Sequence, residues 1–321
     1  MTWPKAARDH DTFCVSCHTA VPYALSRPLL RQALGESAGT GTEQKLIANV
    51  GKRVKLWSEV EPFYLSDASA PNRSAESRAT EAVLNALILA VSAGVRNGLS
   101  PDLPIALENM WMAQIADGPN HGAFPWLDFH NRPWEADDSQ YYGSALAAVA
   151  IGMAPADSRR TGPDQRRIDL LVDYLHRGFG SQSLVNRTVA LWAAAKVPAI
   201  LTADQKATLL RDLAGVQRPD GGWSLTALAG SWKRHDETAL ETASDGYATG
   251  LVAYAMVGAG VAKTERSLAA GLRWLTQNQS AADGRWVGYS LNKERDLNSD
   301  VGRFMSDAAT AYAVLALTAA P

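Results

Sequence analysis

The chain has 321 residues, 46% of them hydrophobic and 20% charged, which is ample for a sizeable core. Its net charge of −2 excludes the concentrated basic face of a nucleic-acid or anionic-membrane surface, so no nucleic-acid partner is expected. No transmembrane helix is expected either: the most apolar stretch, 82–93, contains Asn85 and falls short of the roughly eighteen apolar residues a span needs.

In chain order, residues 1–4 do not read as the start of a signal peptide. The first distinctive segment is Cys14-Val15-Ser16-Cys17-His18, which holds both cysteines of the chain. Cys-x-x-Cys-His is the attachment pattern of c-type haem: the thiols bond the vinyl groups and the imidazole takes the iron. The same residues suit a redox dithiol, a transition-metal site for zinc or iron completed by a carboxylate, or a structural pair. Haem attachment would place the protein in the periplasm or at a membrane and imply a redox partner. Without haem, a cytoplasmic location is expected.

Behind this segment, apolar periodicity predicts helices of two alternating kinds. Alanine-rich helices, apolar nearly all round, are expected at 20–33, 75–94, 139–153, 184–197, 243–258 and 306–319. Amphipathic helices are expected at 44–58, 102–115, 165–177, 203–216 and 265–278. In the third of these, Ile168, Leu171, Val172 and Leu175 share a face between Arg167, Asp169 and Asp173, with Pro163 and Asp164 in the first turn and Gly178 at the end. A uniformly apolar helix must be covered on every side. The first kind should therefore form an inner ring and the second an outer one. The expectation is one all-α domain over 1–321, an α/α barrel. Its first outer helix would precede residue 1, as in a chain trimmed from a longer protein.

The junctions repeat. Gly271, Trp274 and Leu275 are followed by Gln279 and Asp283-Gly284-Arg285-Trp286; Leu209 is followed by Gln217 and Asp220-Gly221-Gly222-Trp223. A degenerate copy has Leu107, Trp111, Gln114, Gly122 and Trp126. Asp-Gly tolerates the positive φ of a tight reversal, Trp plugs the space between repeats, and Gln bonds to backbone at the helix end. Ser244-Asp245 and Ser306-Asp307 then read as N-caps of inner helices.

Glu135-Ala136-Asp137-Asp138 precede the third inner helix. Crowded carboxyls cannot all ionise, so burial there would retain one neutral acid. Asp137 and Asp138 also read as caps or rim carboxylates. Trp134, Tyr141, Tyr142, Trp192 and Tyr247, together with Trp126 and Tyr254, supply aromatic faces suited to a cation.

The repeated Gln…Asp-Gly-x-Trp junctions resemble those of the squalene–hopene and oxidosqualene cyclases, over most of residues 75–321. Those cyclases share their α/α barrel with protein prenyltransferase β-subunits. Glu135-Ala136-Asp137-Asp138 is similar to the Asp-x-Asp-Asp motif of class II terpenoid cyclases, with Glu in the first place. The resemblance implies an isoprenoid or similar apolar small-molecule substrate, protonated by Asp137 with Glu135 and Asp138 beside it. The prenyltransferase likeness implies zinc at the barrel mouth from Asp, Cys and His. The family's usual cyclases carry a second barrel, and this chain has one. Because such motifs are less specific to reaction than to fold, the alternative is a non-cyclase barrel using Cys14, Cys17 and His18 for electron transfer or redox chemistry.

In such a barrel every inner helix is entered from one end. Cys14, Cys17, His18, Ser74, Glu76, Asp137, Asp138, Asp245 and Asp307 should therefore share a rim, bordering a pocket that includes Trp134, Tyr141, Tyr142, Trp192 and Tyr247. The long loops 224–243 and 287–305 should cover it. Their Lys233, Arg234, His235, Lys293, Glu294 and Arg295 read as solvated.

Overall fold

The computed structural model describes residues 8–60, 72–96, 100–155 and 165–320. Pro163 and Asp164, expected to start a helix, and residues 1–4 lie outside the described residues. The protein is all-α, with twelve α-helices and one two-stranded hairpin among the described residues.

Five amphipathic helices lie on the outside: α2 (Gly41–Lys55), α4 (Leu103–Met112), α6 (Gln165–Gly178), α8 (Ala203–Gly215) and α11 (Arg266–Gln277). Six others, buried along much of their length, are α1 (Ala20–Ala33), α3 (Arg73–Arg96), α5 (Ser139–Met153), α7 (Leu184–Ala194), α10 (Gly246–Gly258) and α12 (Arg303–Ala319). Among these six, α1 packs on α3, α3 on α5, α5 on α7, α7 on α10, α10 on α12, and α12 on α1. The contacts return to their start, which is the neighbour order an inner ring requires. Outer helix α2 touches α1 and α3, and α11 touches α10 and α12, while α4, α6 and α8 pack on α3, α5 and α7.

Alanine and glycine explain the close approach of inner helices. A Cβ on Gly250 of α10 would stand 2.6 Å from the Ala313 nitrogen of α12, which only a bare backbone allows. All six inner helices run the same way. Leu29, Val91, Met153, Trp192, Tyr254 and Leu315, from the later part of each, together line one cavity of ≈ 20 Å³.

The junctions have the local chemistry the repeats demand. Gln114, Gln217 and Gln279 each donate through Nε2 to the carbonyl of a glycine at positive φ: Gly122 (3.1 Å), Gly221 (2.8 Å) and Gly284 (2.9 Å). The backbone N–H groups of Trp223 and Trp286 each donate to a threonine hydroxyl, Thr249 Oγ1 and Thr310 Oγ1, of the following inner helix. In the degenerate copy it is Phe124, bonded to Ser144 Oγ, that holds this place. Trp126, expected there, stands two residues further on, because the turn is measured from Gly122 and not from the tryptophan.

Two caps are also reassigned. Asp245 accepts from Ala248 (2.9 Å) and Leu225 (2.6 Å), the latter two residues past Trp223. The matching bond two residues past Trp286 goes from Gly288 to Ser306 Oγ (3.3 Å). The N-cap of α12 is Gly302, so Asp307, the fifth residue of the helix, lies too late to cap it and sits exposed there. Asp138 precedes α5 but its side chain makes no capping bond.

Three features have no forecast in the periodicity. One is α9 (Leu225–Ala229), held by the Asp245 bond to Leu225. The others are strands β1 (Arg8–Asp9) and β2 (Thr12–Phe13), joined at His10 and Asp11. Both turn residues have positive φ, 49° and 53°, the conformation a two-residue hairpin needs.

Candidate functional site

The hairpin delivers the Cys14–His18 segment to the ring. Asn49 of α2 clamps Phe13, accepting from its nitrogen and donating to its carbonyl, both at 2.8 Å. Arg53 of α2 is fully buried. It pairs through two nitrogens with Glu81 of α3, and its Nη1 donates to Thr12 (2.9 Å). After this anchor the chain turns into α1 through Ser16, whose carbonyl and hydroxyl accept from Val21 and Ala20 (both 3.0 Å).

Between these anchors Cys17 is buried and Cys14 half-buried, and both thiols are free. Burial first, then the Glu81 carboxylate, pushes the Cys14 thiol well above its usual range. Burial raises Cys17 as well, with the Glu135 carboxyl as the next cause. The His18 ring lies flat on Phe304 at the start of α12 (4.3 Å between centroids) and tilts against Trp134 (5.9 Å). Its Nδ1 bonds Thr19 Oγ1 at 3.1 Å, and burial lowers its pKa to about 4.

Trp134 and Glu135 come from the loop before α5. The Glu135 backbone is fixed by two bonds with Asn131 (2.8 Å each) and one from Phe129 (2.9 Å). Trp134 O accepts from the Trp126 indole at 2.8 Å. Beyond them the Trp134 ring meets Tyr247 edge-on (5.6 Å), and Tyr247 meets Tyr312 likewise (5.2 Å). Tyr142 is buried beside Tyr247 and Tyr312. The Tyr247 hydroxyl is buried without a hydrogen-bond partner among the described residues.

The structure thus brings Cys17, His18, Trp134, Glu135, Tyr142 and Tyr247 together at the end where α5, α10 and α12 begin. Asp245 is close by, with burial pushing its pKa up to about 7 against the pull of its backbone N–H partners. Other expected members lie elsewhere. Asp137 is 73% exposed, and its carboxylate is 4.0 Å from Arg132. Asp138 pairs with Arg132 at 3.2 Å; burial raises its pKa and Arg132 opposes the shift. Tyr141 faces outward, donating to Leu175 O of α6 (2.8 Å). Trp192 lines the small cavity at the opposite end. Asp307 is on the surface, and Ser74 and Glu76 occupy the first turn of α3.

Among the three carboxyls of the 135–138 segment, Glu135 is the half-buried one that lies beside Cys17 and away from Arg132. Among the described residues it has no ion-pair or hydrogen-bond partner for its carboxyl, and burial alone pushes its pKa up to about 7. Phe304, Tyr312, Arg53 and Glu81 belong to this neighbourhood and were not singled out in the sequence. Tyr142 and Tyr247 did carry a signal: each lies two residues before the hydroxyl, Ser144 or Thr249, that bonds the preceding junction.

The loops 224–243 and 287–305 are stitched rather than loose. Asn292 exchanges two bonds with Arg132 (2.9 and 2.8 Å), and Trp232 donates to Leu291 O (2.9 Å). Arg234, read as solvated, is buried. Its guanidinium is saturated by Glu241, Ser290 O and Ala239 O, which makes burial of the charge affordable. Lys233, His235, Lys293, Glu294 and Arg295 are exposed.

Haem or a transition metal at Cys14, Cys17 and His18 does not fit this arrangement. Cys17 is buried, and His18 is held between Phe304 and Trp134, so a porphyrin would have to displace both contacts. Among the described residues no three His, Cys, Asp or Glu side chains converge as metal ligands. Nor is any helix there long and apolar enough to cross a membrane. No protein-family model matches the chain, and a search of curated proteins finds no significant match.

Proposed function

We propose that the protein is a proton-transfer enzyme acting on an isoprenoid or similar apolar alkene, as the cyclases resembled by its repeats do, with Glu135 as the acid. The carrying observation is the half-buried Glu135 carboxyl, which has no ion-pair or hydrogen-bond partner among the described residues and lies beside Cys17 and next in sequence to Trp134. A carboxyl in such a place keeps its proton near neutral pH. In the proposed step that proton passes to one alkene carbon. The π electrons form the new C–H bond, the neighbouring carbon becomes a cation, and Glu135 becomes a carboxylate. The faces of Trp134, Tyr142 and Tyr247 stabilise the cation; a second double bond can close a ring and carry the charge to a new carbon, and loss of a proton from the neighbouring carbon, returned to the Glu135 carboxylate, ends the sequence. The resemblance assigned the acid to Asp137; its exposed position outside the cluster moves the proposed role to Glu135.

The segment carrying Cys17 and His18 fills the space beside Glu135. It meets Phe304 and Trp134 through ring contacts, and the proposed substrate would take the place of these contacts. The test is turnover of linear isoprenoid alkenes by wild type, Glu135→Gln and Asp137→Asn, followed by product analysis. Expected is loss of at least about 100-fold in Glu135→Gln, the usual scale of a general acid, with Asp137→Asn near wild type. Undiminished turnover by Glu135→Gln would end this reading.

A further inference from the structure

An outer helix meets water along one face and normally carries charge there. Helix α4 departs from this. Its one charged side chain is Glu108, while Ile105 and Met112 stand 39% and 63% exposed. Leu34 apart, no other large hydrophobic side chain is exposed among the described residues. Gathered on one helix rather than scattered singly, Ile105 and Met112 mark an interaction surface.

The two flanks of this apolar strip differ in charge. Asp102 and Asn109 turn toward α2: Asp102 pairs with Lys55 (3.4 Å), and Asn109 Nδ2 donates to Val54 O (3.1 Å). Ile105 and Met112, each three residues further on, form the adjoining strip. Glu108 lies beyond them, exposed on the side away from α2. On the α2 side a shallow groove of ≈ 400 Å³ separates the helices, with Ala48 and Gly51 in it and Lys52 and Lys55 along it. Helix α2 offers no exposed acid, because Glu43, its only one, is buried and paired with Arg27 and Arg31. Lys52 and Glu108 make no ion pair among the described residues. One flank is therefore positive and the other negative.

We propose that this face pairs two copies of the chain about a two-fold axis parallel to α4. Such an axis carries each flank of one copy onto the opposite flank of the other. Lys52 then meets Glu108 of the other copy, twice over, and the two apolar strips meet in the middle. An axis across the helix would set lysine against lysine and Glu108 against Glu108, which like-charge repulsion disfavours. The pairing is independent of the chemistry proposed at Glu135.

The test is sedimentation velocity of the whole chain from about 1 to about 100 μM, the weak end of ordinary interfaces, with circular dichroism to confirm the fold of each variant. Wild type is expected to show a monomer–dimer equilibrium. Met112→Glu should weaken it at least about tenfold. Glu108→Lys and Lys52→Glu should each weaken it about threefold to tenfold, since the axis makes the pair occur twice. Combining those two exchanges the charges without losing them and should return the affinity to within about threefold of wild type. A monomer at every concentration, a dimer unaffected by Met112→Glu, or no recovery in the combined variant would each overturn the proposal. So would tighter pairing in Glu108→Gln, which would mean that the two glutamates face each other.

Discussion

Glu135 titrates against its surroundings, and the sign of that conflict is measurable. Its pKa in the folded protein is about 7, above the usual 4.5, so the native state holds a proton that the unfolded chain releases between those values. Stability from this group is therefore full below pH 4.5 and is lost as pH rises toward 7, by up to about 1.4 kcal/mol per unit. Glu135→Gln removes the titration. The stability of wild type relative to this variant should fall between pH 4.5 and 7 and then level off, as read by urea unfolding at a series of pH values. A difference independent of pH would show that the carboxyl is solvated. His18 acts in the opposite sense. Its pKa is lowered to about 4, so its contribution is lost as pH falls from 6.5 toward 4; the paired comparison with Glu135→Gln separates the two.

At the scale of elements, the Arg53–Glu81 pair fastens α2 to α3 and carries the hairpin through Thr12. Removing one partner strands the other charge in the core. Arg53→Met alone should cost about 3–5 kcal/mol, whereas Arg53→Met with Glu81→Leu should recover most of it. Denaturant unfolding of the three proteins decides this, and equal loss in the single and double variants would assign the cost to packing. The seam between α10 and α12 offers a second measurement. Gly250→Ala drives a methyl into the backbone of Tyr312 and Ala313, with an expected loss of about 1–3 kcal/mol or more. A neutral result would mean that the two helices part easily.

For the whole molecule, the closed order of inner-helix contacts makes α12 a neighbour of both α10 and α1. Ending the chain at Gly302 would uncover apolar faces on both, including Tyr247 and Leu25. The shortened chain should lose cooperative thermal unfolding and near-ultraviolet circular dichroism. A sharp transition in that chain would show that the remaining helices form a self-sufficient stack.

Helix kind and order were legible in the residues. Periodicity placed all eleven principal helices and separated buried from amphipathic ones, because a helix face repeats every 3.6 residues whatever lies beyond it. Junction chemistry was equally local: Gln, positive-φ glycine and the following aromatic act within a few residues of one another. Only the tertiary structure decided which carboxyl is desolvated. Glu135 and Asp137 are two residues apart, yet one sits beside Cys17 and the other in water. It also decided that Tyr141 turns outward, that Arg234 is buried, and that the Cys14–His18 segment closes against Trp134 and Phe304. Burial and proton affinity depend on chain segments far away in sequence, and no local pattern of residues contains that information.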